Sequence, residues 1–346
     1  MSKLNFLASS IRLTGFSVIL LLGCALQASA DTKELKLATQ FSKETEIWAN
    51  LERFAKEVQT ASKNTLKISI VDASKIEDKE LDKAVVRGQL AMASLPLEDY
   101  DELVPAIAIF EQPFMFFSSQ LRMAATARNS LIRTPIEEAI RIATNERVLW
   151  WQPVGAAVFV GREATASKPS DITGKRVHVD RPTHAEFVKL CGGIPVVSSE
   201  IYNRELLETK KVDFLITALE RVDSQKLWET AKSIVVTEHE VFENIVVMNE
   251  GIWQSLSDGH KSIVTEAAKI VEADIRRRQL EIDKTILKKA KSAGMSVGVI
   301  SKSSVSEWKY CDAPMLETYL TKAGRLGRTV LDGYRKILIS TTLKGG

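Results

Sequence analysis

The chain has 346 residues, of which 45% are hydrophobic and 26% are charged, so its composition is that of an ordinary globular protein long enough for two domains. Its 47 Lys and Arg residues nearly balance its 44 Asp and Glu residues, and the formal net charge is +3. This balance does not indicate nucleic acid or an acidic surface as a partner.

The first thirty residues have the pattern of a secretory signal peptide. Lys3 and Arg12 supply the positive charge, residues 13–26 form an apolar stretch, and residues 28–30 (ASA) form a small-residue cleavage site. The apolar stretch is shorter than the ~20 residues of a membrane span. We therefore expect cleavage after residue 30 and export to the periplasm, with lipid attachment at Cys24 as the alternative.

The first half of the chain alternates strand and helix patterns. Short apolar runs predict strands, and apolar residues at helical spacing predict helices. In residues 44–61, for example, Trp48, Leu51, Phe54 and Val58 recur at helical spacing. The predicted strands are 34–39, 66–71, 91–95, 148–152 and 157–162, and the predicted helices are 44–61, 78–86, 120–129 and 135–145.

Residues 171–217 carry a complete strand–helix–strand–helix–strand pattern. A glycine pair at 192–193 ends the first helix, since glycine readily adopts the left-handed turn that follows a helix. Units of this kind bind ligands at the carboxyl ends of their strands. The segments to consider are therefore 178–182, 197–199 and 217–220. The predicted strands are 175–179, 194–197 and 212–217, and the predicted helices are 183–191 and 200–209.

The last part of the chain is predicted to be mainly helical, after two further strands. Its most distinctive element is one very long helix at 258–293, which ends before Gly294. The apolar stripe of this helix lacks the strict heptad of a coiled coil. The other predicted elements are a helix at 220–231, strands at 234–238 and 244–249, and a mostly helical segment at 303–339.

Cys191 and Cys311 are the cysteines that remain after the predicted cleavage. Export would permit a disulfide between them, because exported proteins enter an oxidising compartment. The alternative is two small buried thiols, and the sequence leaves both open.

Three segments carry the resemblance to a known family. Residues 171–179 (DITGKRVHV) are similar to the pattern D-L-K-G-x-K-I-R-V. Residues 193–202 (GIPVVSSEIY) are similar to G-x-x-P followed by E-V-Y, and residues 249–256 contain N-x-x-x-W-x-x-L. In this order and spacing the chain resembles the solute receptors of tripartite ATP-independent periplasmic (TRAP) transporters, of the dicarboxylate-receptor type.

The resemblance implies an α/β, two-domain periplasmic-binding-protein-like fold that is hinge-linked, with a long helix spanning both domains. The predicted division is a signal peptide at 1–30, domain I at 31–153 and 245–280, and domain II at 154–244 and 281–346. The implied function is an extracytoplasmic receptor. It would capture a small organic solute, expected to be an organic acid, between two closing domains and deliver it to the TRAP membrane permease subunits. We expect a monomer with no cofactor, no metal and no nucleic-acid partner.

The positions that would bind a carboxylate depart from the family pattern. The family places one arginine at the end of G-x-K-I-R and often a second one fourteen residues before the Asp of D-L-K-G. Here these positions are His178 and Ala157, and neither side chain can make the two parallel hydrogen bonds of a guanidinium. Three alternatives follow. His178 contacts an anion as a pH-dependent donor, Arg181 or Arg176 supplies a displaced guanidinium, or the solute is not a carboxylate.

At two further strand ends, the residue differs from the one that the family has at its ligand contact. Ser198 stands where the family has an aromatic residue, and Thr217 stands where it often has asparagine. The predicted ligand-binding residues are therefore His178, Arg181, Ser198, Thr217 and Ala157. A satisfied buried histidine is the alternative for His178.

The sequence gives no indication of an enzyme. Its four histidines lack metal-ligand spacing, and it contains no G-x-S-x-G, P-loop or G-x-G-x-x-G motif. We therefore expect no catalytic activity. The alternatives to a TRAP receptor are a sensory receptor and the receptor of an ATP-driven importer, either of them for a neutral or non-carboxylate solute.

Overall fold

The fold is given by a computed structural model that describes residues 32–344. The predicted signal peptide lies outside the described residues. The described part contains nine strands and twelve α-helices. The strands are β1 (Lys33–Thr39), β2 (Leu66–Asp72), β3 (Met92–Pro96), β4 (Glu146–Gly161), β5 (Arg176–Val179), β6 (Ile194–Val197), β7 (Phe214–Ala218), β8 (Ser233–Asn249) and β9 (Ser296–Val299).

The helices pack on both faces of the strands. They are α1 (Glu46–Ala61), α2 (Asp78–Val86), α3 (Ser119–Ala125), α4 (Arg133–Thr144), α5 (Pro169–Ile172), α6 (Pro182–Leu190), α7 (Asn203–Glu208), α8 (Leu219–Ser224), α9 (Glu250–Gln254), α10 (Asp258–Ser292), α11 (Lys302–Asp312) and α12 (Met315–Lys344). Short 3-10 turns at Leu97–Tyr100, Pro105–Ile109, Glu200–Tyr202 and Leu227–Glu229 complete the set.

The nine strands form one sheet with the order β2-β1-β3-β8-β4-β7-β5-β6, and β9 pairs with β8. β1 is parallel to β2 and β3, and β5 is parallel to β6 and β7. The antiparallel pair β4–β8 joins these two parallel groups. We call β1–β3 and the adjoining ends of β4 and β8 the first lobe, and β5–β7, β9 and the opposite ends the second lobe. The predicted two-domain α/β fold is confirmed.

β4 and β8 run through both lobes. The sequence predicted two strands in each of these regions, but each is a single strand because pairing resumes across the middle, from Gln152 with Asn244 to Ala156 with Val241. The register shifts between residues 153 and 158. Gly155 in this segment has a φ of 97°, which favours glycine. This irregular middle is where the lobes are connected.

The predicted domain limits at 153 and 245 adjoin these register shifts, and the division remains a prediction. We would assign α12, which falls in the predicted domain II, differently. Tyr319 of α12 donates a hydrogen bond to the Ala106 carbonyl (3.2 Å), and Tyr334 donates one to the Met115 carbonyl (2.9 Å). Because these partners belong to the first lobe, we propose that α12 belongs there as well.

The long helix α10 contacts both lobes. Its first half buries Val264, Ala267 and Val271 against the first-lobe core, next to α1. Its second half buries apolar side chains in the second-lobe core, among them Ile275, Ile282, Ile286 and Ala290. The predicted long helix that spans both domains is confirmed.

Cys191, which follows α6, and Cys311 of α11 form a disulfide, with their Cα atoms 5.2 Å apart. The sequence left open a disulfide or two buried thiols, and the structure has the disulfide. Between residues 32 and 344, the model contains no helix with the length and apolar character needed to cross a bilayer.

Candidate ligand-binding site

The candidate site lies where the parallel strands of both lobes end. Arg181, which follows β5 in the second lobe, has its Nη2 atom 2.8 Å from Oε1 of Glu98, which follows β3 in the first lobe. The guanidinium of Arg221, which follows β7, lies 4.4 Å from the ring centre of Phe41, which follows β1. Side chains of both lobes therefore meet at the carboxyl ends of the strands, as expected for a ligand site in an α/β sheet.

His178 is fully buried in β5, and its hydrogen bond defines the tautomer. Its Nε2 atom lies 2.9 Å from the carbonyl oxygen of Ser198. A carbonyl oxygen can only accept, so Nε2 carries the hydrogen. Burial lowers the pKa of His178, so the ring is neutral and Nδ1 is a hydrogen-bond acceptor. Nδ1 has no partner among residues 32–344. The predicted contact with an anion needs a donor, whereas this nitrogen offers a lone pair.

The structure brings three other predicted positions to the same end of the second lobe. Ser198 follows β6, and its hydroxyl has no partner within the described chain. Thr217 of β7 donates to Glu200 Oε1 at 2.6 Å. Ala157 lies opposite Ala218 in the β4–β7 ladder and also borders a separate cavity of about 450 Å³ that faces α3 and α10. Ligand contact by these residues remains a prediction.

Arg181 is occupied by carboxylates of the protein itself. Its Nε and Nη2 atoms donate to the two oxygens of Asp180 at 2.9 and 2.8 Å. Nη2 also meets Glu98, and Nη1 lies 3.9 Å from Glu111 Oε1. This geometry places Arg181 in an ion-pair network between the lobes rather than at an empty position for a ligand carboxylate. Arg176, the other guanidinium considered, pairs with Asp213 at 3.0 Å.

His184 continues this network into the centre of the molecule. Its Nδ1 lies 3.1 Å from Asp180 Oδ1, and its Nε2 lies 2.5 Å from Glu240 Oε2. Burial and the Arg181 charge act to lower the pKa of His184, but Glu240 and Asp180 outweigh them and raise the pKa to about 10. Both ring nitrogens face acceptors, so the ring is an imidazolium at neutral pH.

Arg221 is the guanidinium that the sequence analysis missed. Its Nε donates to Glu200 Oε2 at 3.0 Å, and the other oxygen of Glu200 is held by Thr217. Neither Nη1 nor Nη2 of Arg221 makes a hydrogen bond to another described residue, although the side chain is only 2% exposed. Glu200 matches the Glu of the family's E-V-Y motif, so its partner could have been sought after the end of the next strand.

The first lobe contributes a group of enclosed carboxyl groups. Burial raises the pKa of Asp78 to about 7 and that of Glu98 to about 8, although the charges of Arg221 and Arg181, respectively, oppose the shift. Burial also raises the pKa of Glu111 to about 7. Asp99, whose pKa burial raises well above the ordinary value, completes the group.

Gln40 adds another acceptor next to these carboxyl groups. Its Nε2 donates to the Ile76 carbonyl at 2.6 Å, which leaves Oε1 as an acceptor without a partner in residues 32–344. The same described residues contain no group of three or more His, Cys, Asp or Glu arranged to hold a metal ion.

Comparison with known proteins identifies the family. A sequence model of the bacterial extracellular solute-binding proteins, family 7 (DctP), matches residues 37–322, which is most of the chain. The chain belongs to this family. The predicted resemblance to the dicarboxylate-type TRAP receptors is thereby confirmed. Family 7 consists of solute-binding receptors rather than enzymes.

Individual relatives of family 7 are distant in sequence. A sialic acid-binding periplasmic protein, SiaP of Vibrio cholerae, is 31% identical over 117 residues, which are 32% of this chain and 36% of SiaP. A solute-binding protein of Chromohalobacter salexigens is 22% identical over 289 residues, which are 82% of this chain and 83% of that protein.

Among solved structures, the chain is similar to DctP7 of Bordetella pertussis, a receptor that binds pyroglutamic acid. The TM-score is 0.82 at 17% identity, and the match covers 88% of this chain and 100% of DctP7. It is also similar to the sugar acid-binding protein DctPAm of Advenella mimigardefordensis, in complex with galactonate. There the TM-score is 0.82 at 18% identity, with 89% of this chain and 99% of the other covered. At these identities the likeness establishes the fold of family 7 for this chain.

Proposed function

We propose that this family 7 protein is an extracytoplasmic receptor of a TRAP transporter. It captures a small organic acid between its two lobes and delivers it to the permease subunits in the membrane. The receptor carries out no reaction, and the energy for transport is supplied at the membrane.

The observation that carries the proposal is the enclosed polar site between the lobes. Arg181 and Glu98 meet across it at 2.8 Å, and Tyr202 of the second lobe donates to Glu77 of the first at 3.2 Å. A solute can reach this site only when the lobes separate. Binding is therefore coupled to an equilibrium between open and closed forms.

Organic acids are the solutes named for several relatives, among them pyroglutamic acid, galactonate and sialic acid. In this chain Arg221 is the candidate to receive a carboxylate, because Glu200 holds its Nε and the two terminal nitrogens have no hydrogen-bond partner among residues 32–344. This assignment replaces the family arginine that His178 no longer supplies. We propose it together with the predicted contacts of Ser198 and Thr217.

The protein is proposed to act in the periplasm as a monomer. The first thirty residues supply the predicted signal peptide, and the family is extracellular. Lipid attachment at Cys24 would keep the receptor on the membrane surface without changing its action. Cleavage after residue 30 leaves Asp31 as the mature N-terminus, which mass spectrometry of the exported protein tests.

The proposed capture mechanism predicts that the protein becomes more compact when it binds its solute. A thermal-shift screen of organic acids, sugar acids and amino acids identifies a binder, since a ligand of the folded state raises the unfolding temperature. Small-angle X-ray scattering should then show a smaller radius of gyration with that binder than without it. A solute that binds tightly and leaves the radius unchanged would contradict closure.

Delivery is tested separately from capture. The receptor loaded with its binder should stimulate uptake by reconstituted TRAP permease subunits, and the same protein without solute should not. Capture without stimulation would support a receptor for another membrane partner.

A further inference from the structure

Most of the enclosed side-chain polar atoms at the candidate site that have no hydrogen-bond partner among residues 32–344 are acceptors. They are His178 Nδ1, Gln40 Oε1, Asp78 Oδ1, Asp99 Oδ2, both carboxyl oxygens of Glu111, and Ser198 Oγ, which can also donate. His184 Nδ1, 3.1 Å from Asp180, is a donor in the same group. His178 and Gln40 are 0% and 5% exposed, and Glu111 is 3% exposed. An enclosed acceptor without a donor is costly. Hydrogen-bond donors on the solute would satisfy these atoms.

The acceptor character of His178 and Gln40 does not depend on the carboxyl groups. Nε2 of His178 uses its one hydrogen on the Ser198 carbonyl, and Nε2 of Gln40 donates one of its two hydrogens to the Ile76 carbonyl. The atoms without a partner, His178 Nδ1 and Gln40 Oε1, each present a lone pair to the site. A carboxylate oxygen cannot bond to a lone pair, whereas an N–H group can.

The acidic and basic side chains at the site are also unequal in number. The three cations, Arg181, His184 and Arg221, each have an acidic partner in the second lobe: Asp180, Glu240 and Glu200 respectively. Beyond these three pairs, the first lobe adds four carboxyl groups, which we call the first-lobe carboxyl group set. They belong to Asp78, Glu98, Asp99 and Glu111. Glu98 shares Arg181, but no further cation accompanies the set among the contacts within 4 Å in the described chain. A cationic group in the solute would supply the missing positive charge.

We propose that the solute is a zwitterion whose protonated nitrogen contacts the first-lobe carboxyl group set, while its carboxylate faces Arg221. This inference rests on the proposed function and narrows its solute class, from organic acids in general to those with an ammonium or amidinium group.

The site has a partner for each charge of a zwitterion, a guanidinium on the second lobe and carboxyl groups on the first lobe. Arg221 approaches Phe41 from the second lobe, with two terminal nitrogens available for a carboxylate. Burial raises the pKa values of Asp78 and Glu98, and the charges of Arg221 and Arg181 offset this only in part. An adjacent cation favours the ionised form of a carboxyl group.

The test uses matched pairs of probes that share a carboxylate and differ in whether they carry a protonated nitrogen. The pairs are proline with pyroglutamate, glutamate with glutarate, and phenylalanine with 3-phenylpropionate. Binding of each is measured by thermal shift and calorimetry on the whole mature protein. In at least one pair the zwitterion should bind tenfold or more tightly than its partner, because one charge-assisted hydrogen bond corresponds to about that factor or more.

Two variants locate the effect on the first lobe. Asp78→Asn and Asp99→Asn each replace a carboxyl group that a bound cation would ionise with an amide of the same shape. Each should weaken binding of the zwitterion about tenfold or more. Neither should lower the unfolding temperature of the protein without solute, because burial already disfavours the charged form of both carboxyl groups. Glu102→Gln is the matched control, because this exposed residue of the same lobe forms one ion pair within the described chain, with Lys79 at 3.6 Å. It should leave binding unchanged.

The outcomes separate the two proposals. If the acids without a protonated nitrogen bind as tightly as the zwitterions, or if Asp78→Asn and Asp99→Asn bind the zwitterion like wild type, the inference is wrong and the receptor function stands. If no zwitterion shifts the unfolding temperature while an organic acid or sugar acid does, the inference is equally overturned. If no solute of any class binds, capture itself fails.

Discussion

At the scale of single residues, Arg221 and Arg181 are expected to have different roles. Arg221→Lys should weaken binding of the best organic acid by about ten- to a hundredfold, since lysine cannot keep the Glu200 contact and also present a planar pair of donors. Calorimetry at neutral pH measures the change. Arg204→Lys is the control, because Arg204 makes similar ion pairs with Glu208 and Glu229 on an exposed surface.

Arg181→Met should instead reduce stability. It leaves Asp180, Glu98 and Glu111 without their shared cation in a buried place, and the loss of one partner of a buried ion pair costs about 3–5 kcal/mol. Urea unfolding measures this difference. A variant that unfolds like wild type but no longer binds organic acids would restore Arg181 as the ligand's guanidinium and remove that role from Arg221.

His184 makes the stability depend on pH in a defined direction. Its folded pKa is about 10, above the ordinary 6.5, so its contribution is complete below about pH 6.5 and is lost as pH rises through 10. The groups that face it are Asp180, Glu240 and Arg181. We expect the free energy of unfolding to fall between pH 7 and 10.

The His184→Gln variant isolates this effect from other titrating groups. It should be less stable than wild type at pH 7, because Asp180 and Glu240 lose their cation, and the two proteins should converge toward pH 10. Urea midpoints at pH 7 and pH 9.5 measure both. A constant difference between the two proteins across this range would mean that His184 does not titrate as its surroundings require.

The site could be predicted from the sequence only in part, for a physical reason. The strand ends follow from local patterns, and so His178, Ser198 and Thr217 were expected near one another. The pairing of Arg181 with Glu98 depends on how two lobes face each other, which no local pattern contains. The tautomer of His178 likewise follows from one backbone carbonyl that only the fold brings within reach.

At the scale of elements, the disulfide is the feature that the sequence left open. It ties the end of α6 to α11 and closes a segment with a sequence separation of 120. The Cys191→Ala, Cys311→Ala double variant should lose about 2–5 kcal/mol of unfolding free energy, the usual effect of removing a native disulfide from a small exported domain. Denaturant unfolding with and without a reductant measures this. The reductant should destabilise wild type and have no effect on the double variant.

The helices and strands were largely predictable because their apolar periodicity is regular, as in α1 and α10. β4 and β8 show where this fails. Pro153 and Gly155 interrupt the alternation in β4, so the sequence indicated two strands where the structure has one. Continuity across that segment comes from pairing with β8, a partner more than eighty positions away.

At the scale of the whole molecule, the lobes are linked by two strands and by α10, and the latter is fixed to the first lobe near its middle. Glu272 is enclosed by Arg128 and Arg133, and Arg276 makes a double hydrogen bond with Glu243 of β8 at 3.0 and 2.9 Å. The irregular middle of β4 and β8 begins next to this contact, since Glu243 pairs with Pro153, and we expect closure to occur there.

Because the middle of α10 is fixed, a small change in the direction of the helix produces a larger displacement at its end. At 1.5 Å per residue its 35 residues extend about 52 Å, so that a bend of roughly 10° at the middle would move the C-terminal end by about 4–5 Å relative to the first half, which is packed in the first lobe. Its second half is packed into the second lobe and would follow that lobe as it moves. Binding of a solute in the small enclosed site would then displace Lys289 and Lys291 at the C-terminal end of α10. The outer surface of the receptor would therefore differ between the solute-bound and the solute-free protein.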